Sequence, residues 1–253
     1  ENKTNELRTR LNYRLPLISK KLFLNIEYGF STSKENDEKS TYDFNNGTQE
    51  FSDFNTALST DFELKNLEHQ PEIGLTYRTE KVNIRFNTSR QLRTLENTDL
   101  LRPQFNLKRN FNTTEMYSSI RYSFSKKSSL RFSYSLDTEL PRAMQLQAFT
   151  DITDPLNTVV GNPSLVPNNE HSVRLSYNNF NFQKGTGFYA WIYGNTKQNE
   201  IVSNRIVDEN LVTRTTYENV SGNYSFNGSL SQSYDISLDS ITTIELSGEL
   251  GFG

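Results

Sequence analysis

The side chains able to do chemistry at neutral pH are few. His69 and His171 are the only imidazoles, and there is no cysteine. With a serine and an acid, His171 could form a hydrolytic triad, but no Gly-x-Ser-x-Gly elbow accompanies it. Neither histidine has a partner at recognisable spacing, so both read as structural or solvated. The missing cysteines remove thiolate metal sites, a Cys nucleophile and a disulfide scaffold. Asp151 and Asp154, in Thr-Asp-Ile-Thr-Asp-Pro, could join a calcium site with loop carbonyls. Ca²⁺ takes six to eight oxygens, however, so the favoured reading is that they cap turns before Ile152 and Pro155. Glu35, Asp37 and Glu38 read as a solvated loop. Arg8, Arg10, Arg14, Arg78, Arg85, Arg121, Arg131 and Arg174 could hold an anionic ligand. The favoured alternative is that they hydrate one face and pair with Glu27, Glu72 and Glu245 across strands, because they come from many segments without a visible cluster. No catalytic, metal or cofactor site emerges, and the chain is not expected to be an enzyme.

The segments that carry these residues share one pattern. Leu7, Thr9, Leu11, Tyr13 and Leu15 alternate with Arg8, Arg10, Asn12 and Arg14, a period of two without a helical component. The same holds for Leu22 to Phe30, for Ile73 to Tyr77, for Val82 to Phe86, for Ile120 to Phe124 and for Leu130 to Leu136. It recurs in Val173 to Tyr177, in Tyr224 to Ile236 and in Ile244 to Phe252. Each is a strand with one dry and one wet face. In Phe188 to Gly194 both faces are bulky, so the alternation leaves open whether Trp191 or Ile192 points to the dry side. About ten strands result, joined alternately by short and long connections. The long ones are expected over about 32 to 59, read as extended polar strand ends joined by a turn, from Arg90 to Asn112, from Leu140 to Pro167 and near Val202 to Leu211. A short turn is expected at Ser237 to Ser240.

Short turns at one end and long loops at the other are the up-and-down pattern of bacterial outer-membrane barrels; a soluble sandwich mixes loop lengths and uses Greek-key crossovers. Five alternating apolar residues span about 26 Å of strand, or about 20 Å along the membrane normal at a tilt near 40°, which approaches the apolar band of such barrels. Arginine, asparagine, glutamate and serine on the other face are too costly to bury dry in numbers. The mean hydropathy of -0.71 is consistent with this, since a barrel alternates lipid-facing and lumen-facing residues. A net charge of -3 leaves no basic footprint for nucleic acid. No linker divides the chain, so residues 1–253 are read as one all-β, antiparallel, up-and-down transmembrane β-barrel segment.

Between Leu140 and Pro167 lie four of the seven prolines (Pro141, Pro155, Pro163 and Pro167), with no sustained period. Its apolar residues, Leu146, Phe149, Ile152, Leu156, Val159, Val160 and Leu165, argue for an ordered, packed loop. With Leu140-Pro141 and the run from Leu146 to Asn157, the sequence Gly161-Asn162-Pro163-Ser164-Leu165-Val166-Pro167 resembles the barrel domain of TonB-dependent receptors and their outer-membrane β-barrel relatives. Gly161, Asn162, Pro163, Leu165 and Pro167 carry the likeness, and the strand from His171 to Tyr177 would return toward the periplasm. The resemblance implies a bacterial outer-membrane location and a barrel of up to 22 strands around an N-terminal plug, which the arginines could meet through the plug's carboxylates. It also implies energy supplied by TonB and uptake of an extracellular ligand. This chain shows about ten strands and no plug, so it is expected to be part of a larger barrel. Partners implied are outer-membrane lipid, a plug and TonB, and a surface lipoprotein or other outer-membrane subunits. The competing expectation is a non-transporting barrel with a structural, adhesive or partner-docking role.

Overall fold

The computed structural model describes residues 2–148, 150–151, 154, 156–237 and 243–253. Its strands are β1 (Asn2–Ile18), β2 (Leu22–Lys39), β3 (Tyr42–Asn45), β4 (Glu50–Phe54), β5 (Thr60–Arg78), β6 (Val82–Asp99), β7 (Leu107–Ser123) and β8 (Ser128–Glu139). They continue as β9 (Thr150–Asp151), β10 (Asn157–Val160), β11 (Asn168–Asn181), β12 (Thr186–Gln198), β13 (Glu200–Val207), β14 (Thr213–Val220), β15 (Asn223–Ser237) and β16 (Thr243–Phe252). An α-helical turn, α1 (Ala143–Leu146), lies before β9. Ten strands make a single sheet in the order β1-β2-β5-β6-β7-β8-β11-β12-β15-β16. Every neighbouring pair in that sheet is antiparallel.

The register aligns the greasy positions across strands, which is what one oily surface requires. Leu15, Leu24, Leu75 and Phe86 face one another in turn. So do Ile120, Phe132, Leu175 and Ile192, and then Leu230 and Leu250. These side chains stay substantially exposed and are buried by no second layer, so lipid is what covers them. Ile192 belongs to this stripe, whereas Trp191 faces inward, its ring 4.8 Å from the Arg174 guanidinium carbon. The alternation alone had left that choice open. Pro71 sits inside β5 where its pairing to β6 skips from His69 to Glu72, because proline has no N–H to donate.

Aromatic residues mark both borders of the stripe. Near the short turns, Tyr122, Phe124, Tyr177 and Phe188 run side by side with centroid separations of 4.9, 6.3 and 6.0 Å. At the other border the two histidines each accept from or donate to a tyrosine: Tyr28 and His69 Nδ1 at 2.6 Å, Tyr134 and His171 Nδ1 at 2.9 Å. Aromatic girdles of this kind sit at the two membrane interfaces. By the same rule the short turns, such as 19–21 and 79–81, face the periplasm and the long loops face outward.

Beyond the outer girdle the strands continue, and their polarity inverts. On the lipid-facing side of β2 and β5 come Lys34, Glu63 and Lys65, which form ion pairs, while the inward side of β5 to β7 turns apolar at Phe62, Leu64, Leu95, Leu107 and Phe111. The strands have left the bilayer there and carry a small hydrophobic core inside the mouth: Leu95, Phe111, Leu140, Leu146 and Leu165 are all buried. This inversion explains where the sequence misleads. The expected long connection from Arg90 to Asn112 is strand as far as Asp99 and again from Leu107. Glu35, Asp37 and Glu38 belong to β2 rather than to a loop. The expected loop near Val202 to Leu211 is the β13–β14 hairpin, which joins β10 in parallel and β9 through β10. The β8–β11 and β12–β15 connections thus share one four-stranded sheet outside the membrane, while the β2–β5 connection folds as the separate β3–β4 hairpin. The turn expected at Ser237 to Ser240 lies outside the described residues, beyond Ser237.

Candidate ligand cleft at the outer mouth

The motif loop is held by contacts that use each residue's chemistry. Gly161 lies against α1 so closely that a Cβ would come 2.2 Å from the Gln147 carbonyl oxygen and 2.8 Å from that of Met144, so only glycine fits. The Asn162 backbone N–H donates to Gln145 O at 2.6 Å. The Asn162 side chain donates to Tyr217 O on β14 at 2.9 Å and accepts from the Ser164 N–H at 2.9 Å, an Asx turn. Arg109 on β7 donates to the carbonyls of Pro163 and Leu165. It does so where β7 has parted from β8, whose pairing stops at Met116 and Leu136. Leu165 and Leu146 are 0% exposed, as packing of the loop demands, while Val159 and Val160 are half-buried and Leu156 is exposed. Phe149, Ile152 and Pro155 lie outside the described residues. Asn219 on β14 exchanges hydrogen bonds with Val166 N and O at 2.9 and 3.0 Å. Pro167 directly precedes β11, where the missing N–H costs no ladder bond.

The loop leaves a cleft of about 370 Å³ between itself and the wall, a size typical of ligand sites. Its wall side is Glu35 and Asp37 from β2, Thr60, Phe62 and Leu64 from β5, and Asn97 from β6. Its loop side is Ala143, Met144, Gln147, Val159, Gly161 and Tyr217. A buried ion pair fixes the wall's rim. Asp99 accepts from Arg102 Nε at 2.9 Å and from the backbone N–H groups of Leu101 and Arg102, while Arg102 also donates to Ser59 O. The cleft residues were not legible as a site, because Glu35 and Asp37 stand in a polar run and the others come from loops that only the fold brings together.

Lower down, the eight arginines of the expected strands lie on the inward face, opposite the lipid stripe, and four of them are brought together while Arg8, Arg10 and Arg14 stay apart on β1. Register places Arg121 directly across from Arg131, and Arg85 and Arg174 one pleat above, each across from a serine or threonine. Among the described residues none of these has a carboxylate within ion-pair distance; Arg131 donates to the Tyr117 hydroxyl at 2.9 Å instead. Of the expected pairs, Arg10 meets Glu27 at 3.1 Å, whereas Glu72 accepts from Asn87 at 2.9 Å. Asp154 does as a turn cap does: it accepts from Leu156 N at 3.0 Å and from the Asn157 amide at 2.7 Å. The Asn157 bond, then the Leu156 N–H, holds its carboxyl below the usual range. The Asp151 side chain lies outside the described residues. In the outer sheet Glu200 is likewise lowered, first by its bond to Lys197 and then by Asn223.

An up-and-down wall with a lipid-facing stripe, charged lining and outer loops folded into its mouth defines an outer-membrane β-barrel. The chain belongs to the outer membrane protein beta-barrel family, whose profile matches residues 1–249, and its place is the bacterial outer membrane. No curated protein matches it in sequence. Among solved structures, the copper transporter OprC is 13% identical with a TM-score of 0.66, covering 94% of this chain and 36% of its own. The hemophore receptor HasR of Serratia marcescens, solved with its hemophore HasA and heme, is 12% identical with a TM-score of 0.64, covering 100% and 42%. The siderophore receptor PirA from Acinetobacter baumannii is 10% identical at 0.61, covering 92% and 35%. The chain therefore spans about a third to two-fifths of the length of these receptors, and at such identities the likeness is one of fold. These neighbours are outer-membrane transporters and receptors of the TonB-dependent kind.

Proposed function

We propose that this chain forms part of the wall and outer mouth of a TonB-dependent-receptor-type barrel that binds and takes up an extracellular ligand. The observation that carries the reading is the cleft itself: β2, β5 and β6 extend past the membrane and, with α1, β10 and β14, enclose a partly apolar space at the outward end. Two features of the wall support a larger assembly. β1 and β16 pair with no strand on their free sides among the described residues, and a sheet edge facing lipid is not sustained, so further strands cover them. The inward arginine band sets Arg121 directly across from Arg131, and like charges so placed destabilise a sheet unless counter-charge is supplied. An acidic face of a luminal plug would supply it, and TonB would act on that plug.

The test uses cells making the full-length protein with Val159→Cys. A membrane-impermeant maleimide should label it from outside, and a compound that blocks labelling should be accumulated by these cells only while the inner membrane is energised. A blocking compound that binds but is never accumulated would favour an adhesive or docking barrel instead. Labelling only after cell breakage would overturn the assignment of the mouth.

A further inference from the structure

Resting on the reading that the mouth binds an extracellular ligand, we infer the class of that ligand: a peptide-like cation, with an ammonium or guanidinium group on an apolar body that carries amides. The charged residues lining the cleft are Glu35 and Asp37, and no lysine or arginine lines it. Arg102, near the wall's rim, is committed to Asp99 and to Ser59 O, with its guanidinium carbon 5.8 Å from the Phe62 ring centre. Two carboxylates beside apolar walls favour a cation, which they meet through charge-assisted hydrogen bonds, and penalise an anion that would be desolvated against like charge.

Two carboxamides define the rest of the recognition. Asn97 is only 4% exposed, lines the cleft, and its side chain has no hydrogen-bond partner among the described residues. Gln147 Nε2, also in the lining, is buried and unpartnered among the described residues. Buried polar groups are nearly always satisfied, and leaving one unmade costs stability. A carboxamide offers a donor and an acceptor together, and another amide answers both in one plane. Phe62, Leu64, Met144, Val159 and Tyr217 supply the apolar contact between these points. The arrangement reads as acid at one end, amide in the middle and grease around both, which suits a basic, apolar peptide segment.

The experiment measures binding to the purified full-length protein in detergent by calorimetry, using three pentapeptides of identical apolar sequence with a central lysine, glutamine or glutamate. The lysine peptide should bind at least tenfold more tightly than the glutamate peptide, and the double variant Glu35→Gln, Asp37→Asn should erase that preference. Asn97→Leu should weaken lysine and glutamine peptides alike while keeping the charge preference. Val159→Trp, which fills the cleft, should abolish binding of all three, with unchanged heat-modifiable migration showing that the barrel still folds. Equal affinity for lysine and glutamate peptides, both lost in Val159→Trp, would overturn the cationic class while sustaining the cleft as a binding site. Binding of none of the three to the unaltered protein, or binding that ignores Val159→Trp, would overturn both.

Discussion

Ile73→Arg asks most directly whether the outward stripe faces hydrocarbon. Ile73 lies four residues from Tyr77 at the inner border and four from His69 at the outer one, about 13 Å of strand each way, or about 10 Å along the normal at a tilt near 40°. It is therefore close to mid-membrane, and it is half exposed on the outer surface of the wall. Its cross-strand neighbours are Ile26 and Thr88, which offer no counter-charge. An arginine at the bilayer midplane of a barrel costs about 2–4 kcal/mol, equivalent to roughly 30-fold to 1,000-fold in the folding equilibrium at 1.4 kcal/mol per decade. The matched control is Gln70→Arg, three residues away on the inward face, where Gln70 donates to Glu115 at 3.1 Å and a cation would meet a carboxylate. Urea titration of the full-length protein in liposomes, read by heat-modifiable migration, should show Ile73→Arg shifted to lower denaturant and Gln70→Arg nearly unmoved. Equal destabilisation by the two, or a larger loss for Gln70→Arg, would refute the assignment of oil to one face and water to the other.

Three further outcomes follow from the outer mouth. Gly161→Ala drives a Cβ into the backbone of α1 and should cost about 1–3 kcal/mol, seen as faster protease cleavage within 140–167 on intact cells while the barrel stays heat-modifiable. Asp99→Ala leaves the Arg102 guanidinium buried without its carboxylate, a loss of about 3–5 kcal/mol, and hydrogen exchange should rise in 100–106 first. Because Lys197 and Asn223 depress the Glu200 carboxyl in the folded protein, its stabilising contribution is full above the ordinary glutamate value and fades as pH falls through the lowered one. Proteolysis of the β13–β14 hairpin should therefore increase on acidification in the unaltered protein, with a smaller pH dependence in Glu200→Gln.

The amino-acid order determined the membrane-spanning part of this protein. Within the bilayer a side chain meets either lipid or water, and the strand's period of two writes that choice onto alternate residues; Leu24, Leu75, Phe132 and Leu175 could be placed on one face without coordinates. Glycine and proline shaped the motif loop in the same local way, since Gly161 sits where a Cβ would collide with backbone and Pro167 where a missing N–H costs no ladder bond. The tertiary structure decided what happens above the outer girdle. There Lys65 turns outward and Leu64 inward, reversing the code, because water has replaced lipid outside and the folded loop has replaced water inside; read in isolation, the strand vanishes at that point. It also decided the cleft and the arginine band, whose members are remote in sequence and become neighbours only through register between strands and the docking of α1, β10 and β14. Long-range adjacency of this kind costs chain entropy that no local pattern records, so Asn97 and Tyr217 carry no mark in the sequence of the space they share.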